Sequence, residues 1–308
     1  MNLTRRSFLA GSGAIVAGAR PRPEGLLIDT HIHLFAADQR RFPYHANGTY
    51  QPPSEDLEPY KRFVREAKID HAIVVHPEPY QDDHSYLEHC FSREPWAGFF
   101  KGTCLFDAID PKTPERMEAL VKRNPGRIVA LRIHAMGERG APPTTSGAIK
   151  NRDLRDPQMK VAWRKAADLG LAVQMHFLPY FAPQIEALAS EFRDVPVILD
   201  HLGRAGLGTK ADYRAVLELS RRPKTYMKLS GLPYSSKQEA PYLDAQPIVK
   251  QAFDRFGPDR MIWGGLGYDV AAFEQKVRTF DALLDFASEE DKAKIRGLTA
   301  KKLFGFGG

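Results

Sequence analysis

The feature that most constrains this chain is an alternation repeated along almost its whole length. A short apolar run is followed by a polar or Gly/Pro turn, and then by a stretch with helical amphipathic spacing. The apolar runs are GLLIDTHIHLF (25–35), DHAIVVHPE (70–78), FFKGTCLFD (99–107), RIVALRIHA (127–135), LAVQMHFLP (171–179), VPVILDHLG (195–203), TYMKLSGL (225–232) and RMIWGGL (260–266). Most are continuous in Val, Ile and Leu instead of alternating apolar with polar, as strands covered on both faces are. Segments 57–69, 114–123, 159–170, 184–193, 213–222 and 273–287 carry apolar residues at helical spacing; the first places Leu57, Tyr60, Phe63, Val64 and Ala67 on one face. Strand and helix in strict alternation imply a parallel sheet. Eight such units predict a closed (β/α)8 barrel, which a chain of 308 residues is long enough to build as one domain. A doubly wound open sheet is the competing fold, but no glycine fingerprint follows the first strand.

Composition narrows the function classes. The chain is 43% hydrophobic and 27% charged, with a formal net charge of +6. That charge is spread along the sequence, which excludes a concentrated nucleic-acid-binding surface. Cys90 and Cys104 cannot form a stapling framework and are expected to be buried free thiols. The first residues, MNLTRRSFLAGSGAIVAGA, run from basic to apolar to small, the order of an export signal. Thr4 to Leu9, with Arg5 and Arg6 adjacent, resemble a twin-arginine signal, so residues 1–22 are expected to be a signal or tail and 23–308 the barrel domain. The implied location is exported, in the periplasm. The apolar part is too short and too glycine-rich for a stable membrane span.

The histidines carry the chemistry. On the predicted strands, His31 and His33 end the first, His76 the second, His134 the fourth, His176 the fifth and His201 the sixth. A barrel gathers those C-terminal ends around one mouth, where barrel enzymes place their sites. Period-two geometry puts His31 and His33 on one face with Asp29 one layer deeper, and Arg132 with His134 in the same way. Two irregular segments, 36–54 with Arg41, Tyr44, His45 and Tyr50, and 135–153, are expected on the same rim as binding loops.

Five motifs in order, HIH, VQMHF, DHLGR, YMKLSGL and RMIWGG, resemble the amidohydrolase superfamily, and within it the amidohydrolase-related branch of barrel hydrolases, lactonases and decarboxylases. The resemblance implies a hydrolase that activates water on one divalent metal ion, zinc by the chemistry of its ligands, held by His31, His33 and His176. It implies that His201 assists proton transfer. Arg132, His134, Arg204, Lys228 and His76 are the expected substrate-binding residues, and the expected substrate is a small anionic cyclic or aromatic molecule with a lactone, ester or amide bond. Homo-oligomerisation is left open. One position departs from the pattern: Leu266 stands where the branch has an aspartate after Trp-Gly. Asp269, three residues on, is the expected substitute base, with an N-cap of the following helix as its other role. Glu78 and Asp107 are further rim carboxylates. The same departure leaves three alternatives open: a metal-independent lactonase, a decarboxylase, and a non-catalytic barrel.

Overall fold

A computed structural model of the chain describes residues 23–307; the signal expected over residues 1–22 lies outside them. All eight predicted strands form: β1 (Ile28–Ile32), β2 (His71–Val75), β3 (Phe100–Leu105), β4 (Ile128–Ala135), β5 (Ala172–Phe177), β6 (Val197–Leu199), β7 (Thr225–Leu229) and β8 (Met261–Trp263). They make one parallel sheet in chain order. Its ends meet where the Thr30 hydroxyl donates to the Trp263 carbonyl at 2.7 Å, closing a (β/α)8 barrel. Helices α1 (Leu57–Glu66), α2 (Ser85–Ser92), α3 (Thr113–Arg123), α4 (Pro157–Asp168), α5 (Ala182–Glu191), α6 (Lys210–Glu218), α7 (Gln246–Phe256) and α8 (Val270–Leu283) alternate with the strands. The apolar spacing of α1 becomes contact: Leu57, Tyr60, Phe63 and Val64 are its buried residues. Of these eight, α2 and α7 are additional to the six read from spacing; α2 has only two turns over which a period can show. No helix among the described residues is long and apolar enough to cross a membrane. Cys90 and Cys104 are buried and free.

The inner face is read from one apolar cluster. Ile28, Ile73, Val75, Ala130, Ala172, Ile198 and Ile262 come from six strands and pack together, so they point into the barrel. Ala300, Phe304 and Phe306, from α10 (Thr299–Phe304) and the residues after it, complete that cluster. α10 follows α9 (Glu289–Ala293) and a π-helical turn, Lys294–Leu298. Two residues further along the strands the inward position turns polar, giving Arg132 paired in register with Gln174, then Asp200 and Lys228. One more step on β4 and β5 gives His134 opposite His176.

Strand β1 does not follow simple alternation. Ile28 belongs to the inner cluster and Ile32, four residues on, to the outer one between strands and helices. The pairing with β2 shifts register between Asp29 and Ile32, and such a bulge reverses which face a residue takes. It turns His31 and His33 toward the mouth and takes Asp29 off their face. The sequence expectation that Asp29 lies beneath the histidines is therefore corrected.

Candidate active site

Asp200, at the end of β6, is the hub of the mouth. The Arg132 guanidinium donates to its Oδ2 from Nε (3.2 Å) and Nη2 (3.0 Å), and Gln174 donates to the same oxygen at 3.1 Å. Lys228 Nζ lies 3.1 Å from Oδ1, with both side chains fully buried. Burial alone would raise this carboxyl, but Lys228 and Arg132 hold it well below the ordinary range, so it is ionised. His31 reaches the same hub, with Nδ1 3.6 Å from Asp200 Oδ1 and 3.3 Å from Lys228 Nζ.

His31 and His33 converge through their other nitrogens, with Nε2 to Nε2 at 3.3 Å. His33 Nδ1 is 2.7 Å from the Val75 carbonyl, which fixes the proton on Nδ1 and leaves a lone pair on Nε2. Zinc–nitrogen bonds of ~2.05 Å at a tetrahedral angle put two ligand nitrogens ~3.3 Å apart. The pair thus fits two adjacent positions of such an ion. His176 is differently engaged. Arg132 Nη2 meets its Nδ1 at 2.9 Å and Arg204 Nη2 its Nε2 at 3.0 Å, so both ring nitrogens face guanidinium groups. Among the described residues, the three groups whose donor atoms lie within 4.8 Å of one another are His31, Asp200 and His201.

His201 begins the segment after β6. Its Nδ1 is 2.9 Å from Ser230 Oγ, and its ring lies 4.7 Å from that of His31. Burial first, with Arg132, Arg204 and Lys228 adding to it against Asp200, pushes its pKa down to about 3, so the ring is neutral at physiological pH. His134 sits with its ring 4.8 Å from His176 and its buried Nε2 without a hydrogen-bond partner. Arg204 is 5% exposed, lies 3.8 Å over the Tyr234 ring, and leaves its Nε without a partner.

The remaining expected residues fall elsewhere. Lys228 is 0% exposed and lies under the mouth as the counter-charge of Asp200. His76 is buried against His84, ring to ring at 4.3 Å, with Nε2 on the Gln81 carbonyl at 2.9 Å. Asp269 is exposed and accepts the Ala272 N–H at 2.8 Å, capping α8. Leu266 is 0% exposed and belongs to the outer apolar cluster that also holds Phe273 and Val277. Asp29 accounts for that orientation, since its carboxylate accepts the N–H groups of His31 (2.9 Å), Gly265 (2.8 Å) and Leu266 (3.1 Å). Glu78 is occupied by Thr49 and Gln81, and Asp107 by Arg152. In segment 36–54, Tyr50 is 48% exposed, and partial burial raises its hydroxyl while Arg132 opposes the rise. Sequence reasoning missed Gln174, Ser230 and Tyr234 as parts of the site. Two had a readable signal: Gln174 and Ser230 each stand two residues from a residue already singled out, His176 and Lys228.

A parallel eight-stranded barrel gathers histidines, arginines and the buried Asp200 carboxylate at its C-terminal mouth, where barrel enzymes place their sites. The chain belongs to the amidohydrolase family, whose model (Amidohydro_2) matches residues 28–306, and it is a hydrolase. It is 28% identical over 297 residues to the 4-sulfomuconolactone hydrolase of Hydrogenophaga intermedia, covering 90% of this chain and 88% of that protein. It is 24% identical over 251 residues to the L-fucono-1,5-lactonase of Burkholderia ambifaria, covering 77% and 78%. An amidohydrolase from Burkholderia multivorans with bound zinc shares the fold, with TM-score 0.68, 18% identity and 92% and 100% coverage.

Proposed function

We propose that this chain hydrolyses a small lactone that carries a negative charge. The observation that carries the reading is Arg204: a buried guanidinium whose partners, the His176 and Tyr234 rings, supply no carboxylate and whose Nε is unpartnered. A buried cation without a counter-carboxylate is costly until an anion completes it, and guanidinium suits carboxylate or sulfonate in two-point contact. Arg132 and Lys228 are both paired with Asp200, which leaves Arg204 as the third cation of this mouth without an ion pair among the described residues. Both curated relatives are named for lactone hydrolysis, which supports a ring ester as the bond cleaved.

In this reading water adds to the ring carbonyl carbon and the ring C–O bond breaks, leaving a carboxyl group and a hydroxyl. His201, with its Nδ1 on Ser230, takes the water proton at Nε2 and returns it to the departing oxygen. A bound anion beside Arg204 offsets one of the charges that lower the His201 pKa, so substrate binding itself makes the ring a better base. His31 and His33 would hold a divalent ion, with Asp200 as the neighbouring donor. Such an ion polarises the carbonyl and lowers the pKa of its water to roughly 7.

Two experiments test this. In a panel of matched lactones, those with a carboxylate or sulfonate should exceed neutral ones by ~100-fold in kcat/KM, and Arg204→Ala should remove most of that preference by raising KM. Equal rates on charged and neutral lactones would sink the anionic assignment. For the metal, inductively coupled plasma analysis after zinc reconstitution should show His33→Ala losing the ion and His176→Ala keeping it. Loss in His176→Ala with retention in His33→Ala would overturn the placement.

A further inference from the structure

Residues 201–204 carry the longest run of left-handed backbone among the described residues. His201, Leu202, Gly203 and Arg204 have φ of 58°, 53°, 61° and 52°, a full turn in the left-handed region. L-residues avoid it because Cβ crowds the following carbonyl oxygen, and they enter it singly. Of six non-glycine residues with positive φ, three are in this turn. Strain of this kind persists only where the surroundings over-determine it, and it gathers at functional positions.

The surroundings here are specific. Leu202 is fully buried, and the Gly203 N–H donates to the Asp200 carbonyl at 3.0 Å. A Cβ on Gly203 would come within 2.6 Å of Val216. The turn puts residues i and i+3 on one side, so His201 and Arg204 both lie against Tyr234, at 5.5 Å between rings and 3.8 Å from guanidinium to ring. The residues leaving β7 then receive the imidazole. Ser230 Oγ stands 2.9 Å from Nδ1. Gly231, itself at φ +58°, lies flush against the ring, and a Cβ there would be 2.6 Å from Nδ1 and 2.7 Å from Cγ.

We infer that Ser230 and Gly231 are positioning residues for His201. Gly231 leaves the space the ring occupies, and the Ser230 oxygen accepts the Nδ1–H of His201, so that in this tautomer Nε2 keeps its lone pair toward the mouth. The catalytic consequence rests on the proposed role of His201 in activating water; the orientation itself does not, and can be measured without substrate.

The test has two arms, run on the full chain. Nitrogen-15 NMR of the imidazoles, with and without added zinc, should show one neutral tautomer for His201 in the natural chain, a mixture in Ser230→Ala, and a return to one in Ser230→Thr. With an anionic lactone, Ser230→Ala should lose ~10–100-fold in kcat with KM changed less than ~threefold, and Ser230→Thr should recover most of the loss. Gly231→Ala should displace the ring and lower kcat further. An unchanged tautomer and unchanged kcat in Ser230→Ala would overturn the inference, whatever happens to its melting temperature. If the natural chain opens no lactone in the panel, the hydrolase reading fails, while the tautomer populations still decide the positioning.

Discussion

The folded chain is expected to lose a large share of its stability between pH 6.5 and 5. Its mouth and inner wall hold histidines that burial keeps neutral: the pKa of His76 is pushed down to about 4 and that of His201 to about 3, and those of His31, His84 and His134 lie well below the ordinary value. In the unfolded chain each titrates near 6.5. Below that pH the unfolded state takes up protons that the folded state refuses, so stability is complete above about pH 7. It then falls by ~1.4 kcal/mol per pH unit for each group until its folded pKa is reached. At pH 5, His76 and His201 together cost ~4 kcal/mol, a large share of the ~5–15 kcal/mol that holds a typical fold together. The other three act in the same direction. Urea unfolding followed by circular dichroism at pH 8, 7, 6 and 5, on chelated protein so that metal loss is not the cause, should give a midpoint that falls steeply below pH 6.5. Equal midpoints at pH 8 and pH 5 would refute the buried neutral state of these rings.

The second large effect concerns position 266. Sequence resemblance suggests that Leu266→Asp restores a missing carboxylate, whereas the structure predicts damage. Leu266 faces the apolar layer with Phe273 and Val277, and its own N–H is bonded to the buried Asp29 carboxylate. A new carboxyl there must be buried without a cation and beside another acid. The expected loss is ~4 kcal/mol or more, a drop in melting temperature of about 10 °C, with no gain in hydrolysis. Leu266→Met, similar in volume, should cost under ~1.5 kcal/mol. A Leu266→Asp protein of normal stability with raised activity would show that the loop can turn this residue to the mouth.

These two predictions mark where the sequence was legible. Strand positions follow from apolar runs bounded by turns, because burial on both faces leaves no other composition for a parallel strand. Barrel closure then follows from eight repeats, and with it the gathering of His31, His33, His134, His176 and His201 at one end. What stayed hidden depended on single-residue geometry. One bulge in β1 decides that Asp29 serves the β1–β8 seam and not the histidines. One left-handed turn decides that His201 leans on Ser230 and not on neighbouring Asp200. Neither leaves a mark in hydrophobic periodicity, because each changes the direction of a side chain without changing what kind of residue it is.

The sequence by itself therefore determined the architecture, the family motifs and the end of the barrel at which the polar residues collect, since these depend on patterns repeated over many residues. Only the tertiary structure decided how those residues divide their work: Asp200 as the charge hub, Lys228 as its buried counter-ion, Arg204 as the cation without one, and Leu266 as a core residue. The physical reason is range. Hydrophobic patterning acts locally and averages over a strand or helix, whereas the charge balance of a buried site depends on distances of about 3 Å between groups far apart in the chain, such as the 3.1 Å between Lys228 and Asp200.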